Sequence, residues 1–112
     1  MTRPTGYVTS ADGTRIAFDR IGSGAPLLIV GGILCDRART RPLADALGRS
    51  CTVFNVDRRG RGDSWDTTPY AVAREIDDLA AVIEEAGGRA ALYGHSSGAG
   101  LALNAAAAGL PI

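Results

Sequence analysis

The sequence contains no lysine, and this absence excludes several kinds of chemistry. All twelve of its basic residues are arginine. A phosphate-binding loop of the G-x-x-x-x-G-K type needs a lysine on the phosphates. A Schiff-base enzyme needs a lysine amine, and an S-x-x-K acyl-transfer enzyme needs a lysine beside its serine. None of these three sites can be built from this sequence.

Cysteine and histidine are also scarce. The two cysteines, Cys35 and Cys51, do not form a disulfide framework, and His95 is the one histidine. Because no close Cys/His pairs occur, we expect no structural zinc site. The sequence points to no cofactor.

The twelve acidic residues balance the twelve basic ones, so no long-range field attracts nucleic acid or an anionic membrane. The apolar runs are too short to span a membrane. Residues 1–13 contain no apolar stretch of the kind found in secretory signals. We therefore expect a cytoplasmic protein that acts on a small molecule, with neither nucleic acid nor membrane as a partner.

A hairpin followed by alternating strands and helices is the main pattern. Asp12 and Gly13 form a favoured two-residue hairpin turn. The predicted strands are 7–11, 14–21, 26–30, 51–56 and 90–93, and the predicted helices are 42–48, 69–86 and 97–108. This alternation predicts an α/β fold in one domain over 1–112, with a mostly parallel sheet and helices on both faces.

Proline, threonine and apolar spacing place the two middle helices. Pro42 suits the first turn of the helix over 42–48. Pro69 suits the first turn of the helix over 69–86, which Thr67 or Thr68 can cap. The residues expected on its buried face are Val72, Ile76, Leu79 and Ile83.

The pattern G-x-S-x-G spans Gly94 to Gly98, between a predicted strand and a predicted helix. A serine on such a tight turn is exposed as a nucleophile, so Ser96 is the candidate. The glycines allow the strained turn, and Gly98 and Gly100 should let the helix approach the sheet. The helix amino terminus directs N–H groups at the reaction centre, and the Ser97 N–H is one candidate oxyanion donor. We expect His95 to be a packing residue of this turn.

A second oxyanion donor must come from another loop. The turn after the first central strand contains Gly31 and Gly32, whose backbone can approach a substrate oxygen. We predict that the Ile33 N–H is this second donor.

Three segments in this order resemble signatures of the α/β-hydrolase fold superfamily: the oxyanion loop over 30–33, the D-x-R-G-x-G-x-S loop over 57–64, and the nucleophile elbow over 93–98. The resemblance extends from Tyr7 onward. It implies an esterase-like serine hydrolase that forms an acyl-enzyme at Ser96 without a metal or cofactor. One departure is Gly31-Gly32, where the family commonly has His-Gly.

The polar loop over 57–64 has alternative interpretations. Asp57 and Asp63 could be catalytic acids, but we expect them to organise the loop through N–H groups and arginines. Arg58, Arg59 and Arg61 could bind phosphate, but we expect a solvated loop in which Arg59 is structural, as the resemblance implies.

The general base and its acid are missing. In this fold order both follow the serine, yet no acidic residue follows Glu85 and no second histidine exists. The sequence is therefore expected to be the amino-terminal part of a longer hydrolase, truncated after the nucleophile helix. The strand over 90–93 would become an open edge that self-associates or accepts a complementing segment. The alternative is a non-catalytic relic or assembly fragment.

Overall fold

The computed structural model describes residues 3–112, so the first two residues of the segment over 1–13 lie outside it. Within this range the chain forms five strands and three helices. In chain order these are β1 (Gly6–Thr9), β2 (Arg15–Ile21), β3 (Ala25–Val30), α1 (Arg37–Leu47), β4 (Cys51–Val56), α2 (Val72–Glu85), β5 (Ala91–Gly94) and α3 (Ser97–Ala107).

The strands form one mixed sheet in the order β1-β2-β4-β3-β5. The apolar strand β3 lies between β4 and β5 and is parallel to both, with Ile29 opposite Asn55 on one side and Tyr93 on the other. The β1–β2 hairpin adds two antiparallel pairings. β5 forms one edge of the sheet among the described residues. Strands covered on both faces read as continuous apolar runs, which explains why the sequence located β3 well.

Helices cover both faces of the sheet, as predicted. Neighbouring strand residues point to opposite faces. Leu28 and Val30 face the larger core, in which Leu79 of α2 and Leu101 of α3 are buried. Ile29 faces the other side, where Ala44 and Val53 form a smaller cluster under α1. The predicted α/β fold is therefore confirmed.

The first helix begins earlier than predicted. Asp36 accepts a hydrogen bond from the Arg39 N–H, 3.2 Å away, and caps α1 at Arg37. Pro42 consequently lies inside the helix instead of in its first turn. Aspartate is a favoured cap, so Asp36 was the overlooked signal.

The second helix begins later than predicted. Its N-cap is Ala71, without a side-chain hydrogen bond, so the expected Thr67 or Thr68 cap was wrong. Val72 is 45% exposed, and Val82 is buried in its place. The buried face is rotated because it includes two carboxylates as well as apolar groups, and these are Glu75 and Asp78.

The hairpin turn is longer than predicted. β1 ends at Thr9 and β2 begins opposite it at Arg15, so residues 10–14 form the connection. The Ser10 N–H donates to the Thr14 carbonyl at 2.8 Å. The Asp12 carboxylate accepts from the Thr14 N–H, and this bond holds the aspartate inside a loop that is wider than a two-residue turn.

Candidate active site

The backbone at Ser96 is strained. It lies between β5 and α3 with φ 56° and ψ −122°, and it is the one non-glycine residue with positive φ in the range 3–112. Such a conformation costs about 1–3 kcal/mol in a residue with a side chain and persists only where the surroundings enforce it. The turn that the sequence placed at this position is therefore present.

The two glycines of the pattern are sterically required. A Cβ atom on Gly94 would lie 2.5 Å from the carbonyl oxygen of Gly98. A Cβ atom on Gly98 would overlap the carbonyl oxygen of Val30 and lie 2.6 Å from that of Gly31. The missing side chains thus allow α3 to start against the end of β3. The expectation for Gly100 was wrong, because a Cβ atom there would meet nothing within 4 Å.

The predicted oxyanion loop lies beside the serine. A Cβ atom on Gly32 would be 3.3 Å from the Ser96 Cβ. The Gly32 carbonyl accepts from the Cys35 N–H at 3.0 Å. Because a trans peptide directs its C=O and N–H in opposite directions, this bond also orients the Ile33 N–H.

The N–H groups of Ile33 and Ser97 have no acceptor among the groups of residues 3–112. Ser96 and Ser97 are exposed, as is Ile33. Exposed donors beside an exposed hydroxyl can bind an oxygen on which negative charge develops.

Arg58 joins the polar loop to this turn. Its Nε and Nη2 each donate to the Glu75 carboxylate at 2.7 Å. Its Nη1 donates to the Ser97 Oγ at 2.9 Å and to the Gly31 carbonyl at 3.3 Å. Arg58 is only 8% exposed, so the expectation of a solvated side chain was wrong.

Glu75 is the buried partner in this network, and the Tyr70 hydroxyl also donates to it, at 2.6 Å. Burial alone would raise the pKa of Glu75, but the hydrogen bonds from Arg58 and Tyr70 outweigh it and lower that pKa. The hydrogen bond to Glu75 raises the pKa of Tyr70. Glu75 therefore stays ionised and holds Arg58 in place.

Arg37 is a buried residue that the sequence did not single out. Its Nη1 donates to Asp57 at 2.7 Å and to Asp63 at 3.0 Å, and its Nε lies 3.2 Å from Asp19. Asp57 also accepts from the backbone N–H groups of Arg37 and Asp63. As expected, Asp57 and Asp63 organise the loop. No local signal reveals Arg37, because Asp57 lies twenty residues away in the chain.

Arg59 has the structural role expected of it. Its Nε and Nη2 donate to Asp78 at 2.8 and 2.7 Å, and its Nη1 donates to Asp12 at 2.9 Å. The side chain is buried. The hydrogen bond from Arg59 holds the pKa of Asp12 well below its usual range. Arg59 thus ties the hairpin turn to α2.

His95 is exposed, whereas we expected it to pack within the turn. Its backbone N–H donates to the Val30 carbonyl at 3.0 Å. Its side chain lines a cavity of about 280 Å³ with Cys35, Arg39, Thr40, Leu43 and Tyr93. No hydrogen bond joins its ring to Ser96 in the part of the chain that the structure describes.

The described residues hold no group of three or more His, Cys, Asp and Glu side chains that could bind a metal ion. None of the helices within residues 3–112 is both long and apolar enough to cross a membrane.

Comparison with protein families and known proteins places this geometry in context. Residues 27–112 match the model of the alpha/beta hydrolase family. The chain is 40% identical over 88 residues to the 2-(acetamidomethylene)succinate hydrolase of Mesorhizobium japonicum. That match covers 77% of this chain and 32% of the relative.

Two solved structures are also similar to this chain over most of its length. An alpha/beta hydrolase from Sphaerobacter thermophilus is 62% identical with a TM-score of 0.94, over 96% of this chain and 42% of that one. The N-formylmaleamic acid deformylase of Pseudomonas putida, solved as a serine-to-alanine variant, is 30% identical with a TM-score of 0.84. That match covers 93% of this chain and 41% of the deformylase. The chain thus spans about a third to two fifths of the length of these relatives.

Proposed function

The chain belongs to the alpha/beta hydrolase family, and on that premise we propose that the complete protein is a serine hydrolase whose nucleophile is Ser96. The observation that carries the proposal is the strained backbone of Ser96, which exposes its hydroxyl at the start of α3. Two N–H groups without acceptors among residues 3–112, those of Ile33 and Ser97, support it.

The chemistry follows from these groups. The Ser96 Oγ forms a bond to the substrate carbonyl carbon while its proton passes to a histidine base. The carbonyl oxygen becomes negative and accepts hydrogen bonds from Ile33 and Ser97. The bond to the leaving group breaks as that group takes the proton, and water then releases the acid from the acyl-enzyme. In this proposal the histidine and its acid belong to a part of the complete protein outside these 112 residues, since the chain spans 42% of the similar Sphaerobacter thermophilus hydrolase.

The substrate is proposed to be a small carbonyl compound, either an ester or an N-acyl amide. Esters are the general expectation from the family resemblance. Amides enter because two of the similar proteins are named as a hydrolase of 2-(acetamidomethylene)succinate and a deformylase of N-formylmaleamic acid. Ester hydrolysis and amide hydrolysis both begin with the attack of a serine oxygen on a carbonyl carbon.

Fluorophosphonate labelling of the complete protein tests the proposal. The label should attach to Ser96, as shown by mass spectrometry of the modified peptide. Ser96→Ala should take no label. Ser97→Ala should still take it, although more slowly, because alanine keeps the N–H group that Ser97 contributes but lacks the hydroxyl that Arg58 contacts. A folded complete protein without label on Ser96 would overturn the assignment and favour the non-catalytic alternative.

We further propose that the outer edge of β5 pairs with another strand, either from a later segment or from a second copy. Within residues 3–112, β5 pairs with β3 alone, and Tyr93 beside this edge is 41% exposed. An open strand edge is a template for pairing. Light scattering of the 112-residue polypeptide should show dimers or larger species. A monodisperse monomer with a cooperative melt would contradict this.

A further inference from the structure

One nitrogen atom of Arg58 contacts both backbone segments that carry the candidate oxyanion donors. Its Nη1 donates to the Gly31 carbonyl at 3.3 Å, two residues before the Ile33 donor. The same atom donates to the Ser97 Oγ at 2.9 Å, on the residue that supplies the other donor. These segments come from different parts of the chain, after β3 and before α3.

We propose that Arg58 is a positioning residue that sets the distance and orientation between the two halves of the oxyanion hole. This inference rests on the proposed serine hydrolase activity. Arg58 touches neither the nucleophile nor, as proposed, the substrate. It acts through the Gly31 carbonyl and the Ser97 hydroxyl.

The oxyanion loop needs such an anchor because few of its own side chains are packed. Gly31 and Gly32 have no side chain, Ile33 is 59% exposed, and Leu34 is 94% exposed. A loop of this kind gains little from apolar burial. Beyond the His95–Val30 backbone bond at its start, its described anchors are the Gly32–Cys35 hydrogen bond and the bond from Arg58. The first orients the Gly32–Ile33 peptide, and the second ties the preceding peptide to the elbow.

The anchor is itself rigid. Two parallel hydrogen bonds from Arg58 to Glu75 fix the plane of the guanidinium group. Glu75 is 2% exposed and lies in the first turn of α2, within the larger core layer. Since the guanidinium plane is fixed by Glu75, its remaining nitrogen has a defined position toward Gly31 and Ser97.

Arg59 is a matched control that the chain provides. It is the next residue in the same loop and makes the same two-bond contact with a buried acid of α2, Asp78. Its other hydrogen bonds reach Asp12 and the Arg74 carbonyl and do not reach the elbow or the oxyanion loop. Removing this pair likewise removes one buried arginine and one buried carboxylate without touching the donors, and it leaves only the partly exposed Asp12 without its partner.

The experiment compares two double variants of the complete protein on an ester substrate. Arg58→Met with Glu75→Met removes both partners, because a buried charge left alone would cost about 3–5 kcal/mol of unfolding free energy. We expect kcat to fall by about 10-fold to 100-fold with KM changed by less than about twofold, because a misplaced donor weakens transition-state binding alone. The affinity for a boronic acid transition-state analogue should fall by a similar factor. Arg59→Met with Asp78→Met should keep kcat within about twofold of wild type.

A conservative variant keeps the inference testable if the double variant does not fold. Arg58→Lys keeps the charge but lacks the planar fork, so it should show the same loss in kcat in a milder form. Ser97→Ala removes one of the two contacts and keeps its N–H, so it should show a partial loss. An unchanged kcat in both the lysine variant and a folded double variant would overturn the inference. So would an equal loss of kcat in the Arg59 control.

Labelling of the wild type separates the two proposals. If Ser96 takes the fluorophosphonate and the Arg58 variants keep full kcat, only the positioning role fails. If the folded wild type takes no label at Ser96, the proposed function fails and the positioning role fails with it.

Discussion

The elbow over 94–98 and the polar loop over 57–64 lie at the same end of the sheet but are shaped by different forces. In the elbow, missing side chains at Gly94 and Gly98 allow backbone segments to meet, and the strain is concentrated at Ser96. In the polar loop, buried arginines and carboxylates hold the backbone through hydrogen bonds. One region is defined by close packing of backbone, and the other by charge.

This difference predicts how each region should respond to mutation. Close approach is sensitive to one added carbon atom and insensitive to pH. A buried ionic network tolerates changes of shape but fails when one partner is removed, because an uncompensated charge remains.

Removing Arg37 should be the most damaging single change. Arg37→Met leaves the buried carboxylate of Asp57 without its cation and leaves Asp19 with only the longer contact from Arg41, which should cost about 3–5 kcal/mol of unfolding free energy. Urea denaturation of the protein measures this. Arg74→Met on α2 is the control, because its pair with Asp77 lies at the surface and should contribute about 0–1 kcal/mol. Equal losses in the two variants would refute a network defined by buried charge.

A methyl group in the elbow should have the next largest effect. Gly98→Ala forces α3 away from the carbonyl groups that end β3 and should cost about 1–3 kcal/mol, with loss of the proposed hydrolase activity. Gly100→Ala, one half-turn further along the helix, adds its methyl group to open space. It should be neutral or stabilise by up to about 1 kcal/mol. Thermal unfolding of both variants measures these changes in stability. A stable and active Gly98→Ala protein would contradict the steric explanation.

Relieving the backbone strain at Ser96 should stabilise the protein slightly. Ser96→Gly should raise the unfolding free energy by about 1 kcal/mol, because glycine adopts a positive φ without steric cost. Ser96→Ala retains Cβ and the strain, so it should show no such gain. Both variants should be inactive. If the glycine and alanine variants unfold at the same denaturant concentration, the backbone stores no strain there.

The smallest effect should be the change with pH in the stabilisation that Glu75 contributes to the fold. The pKa of Glu75 is lowered from its usual 4.5, so its ionised form stabilises the fold above that pH. This contribution is lost as the pH falls through the folded-state pKa. The advantage of wild type over Glu75→Gln should therefore be full at neutral pH and shrink below 4.5. Urea denaturation of wild type and Glu75→Gln at several pH values measures the difference in their stability. A difference that stays constant with pH would argue against a stabilising, ionised Glu75.

The sequence predicted most of the architecture and the position of the elbow. The continuous apolar run over 26–30 located β3, and the G-x-S-x-G pattern located the strained turn. The starts of α1 and α2 differ from those that the prolines predict, because Asp36 caps α1 before Pro42 and α2 begins only at Val72, after an N-cap residue without a side-chain hydrogen bond. The roles of Ser96, Ile33 and Ser97 stay predictions until labelling is done, as does the expected cytoplasmic location.

The sequence alone did not predict which charged residues form ion pairs. Arg58 meets Ser97 across 39 residues of chain, and Arg37 meets Asp57 across twenty. The alternation of strands and helices predicts which segments become neighbours but not which arginine pairs with which carboxylate. This is also why Arg58 was expected to be solvated.

By itself, the sequence determined the α/β alternation, the apolar strands of the sheet and the strained turn at Ser96. Each depends on the nature of residues that are close in the chain: apolar runs for strands, and glycine on both sides of the serine for the turn. Only the tertiary structure decided that Arg58 joins the oxyanion loop to the elbow and that Arg37 gathers three carboxylates. These contacts join distant segments, and burial within the folded chain selects among many possible charge pairs.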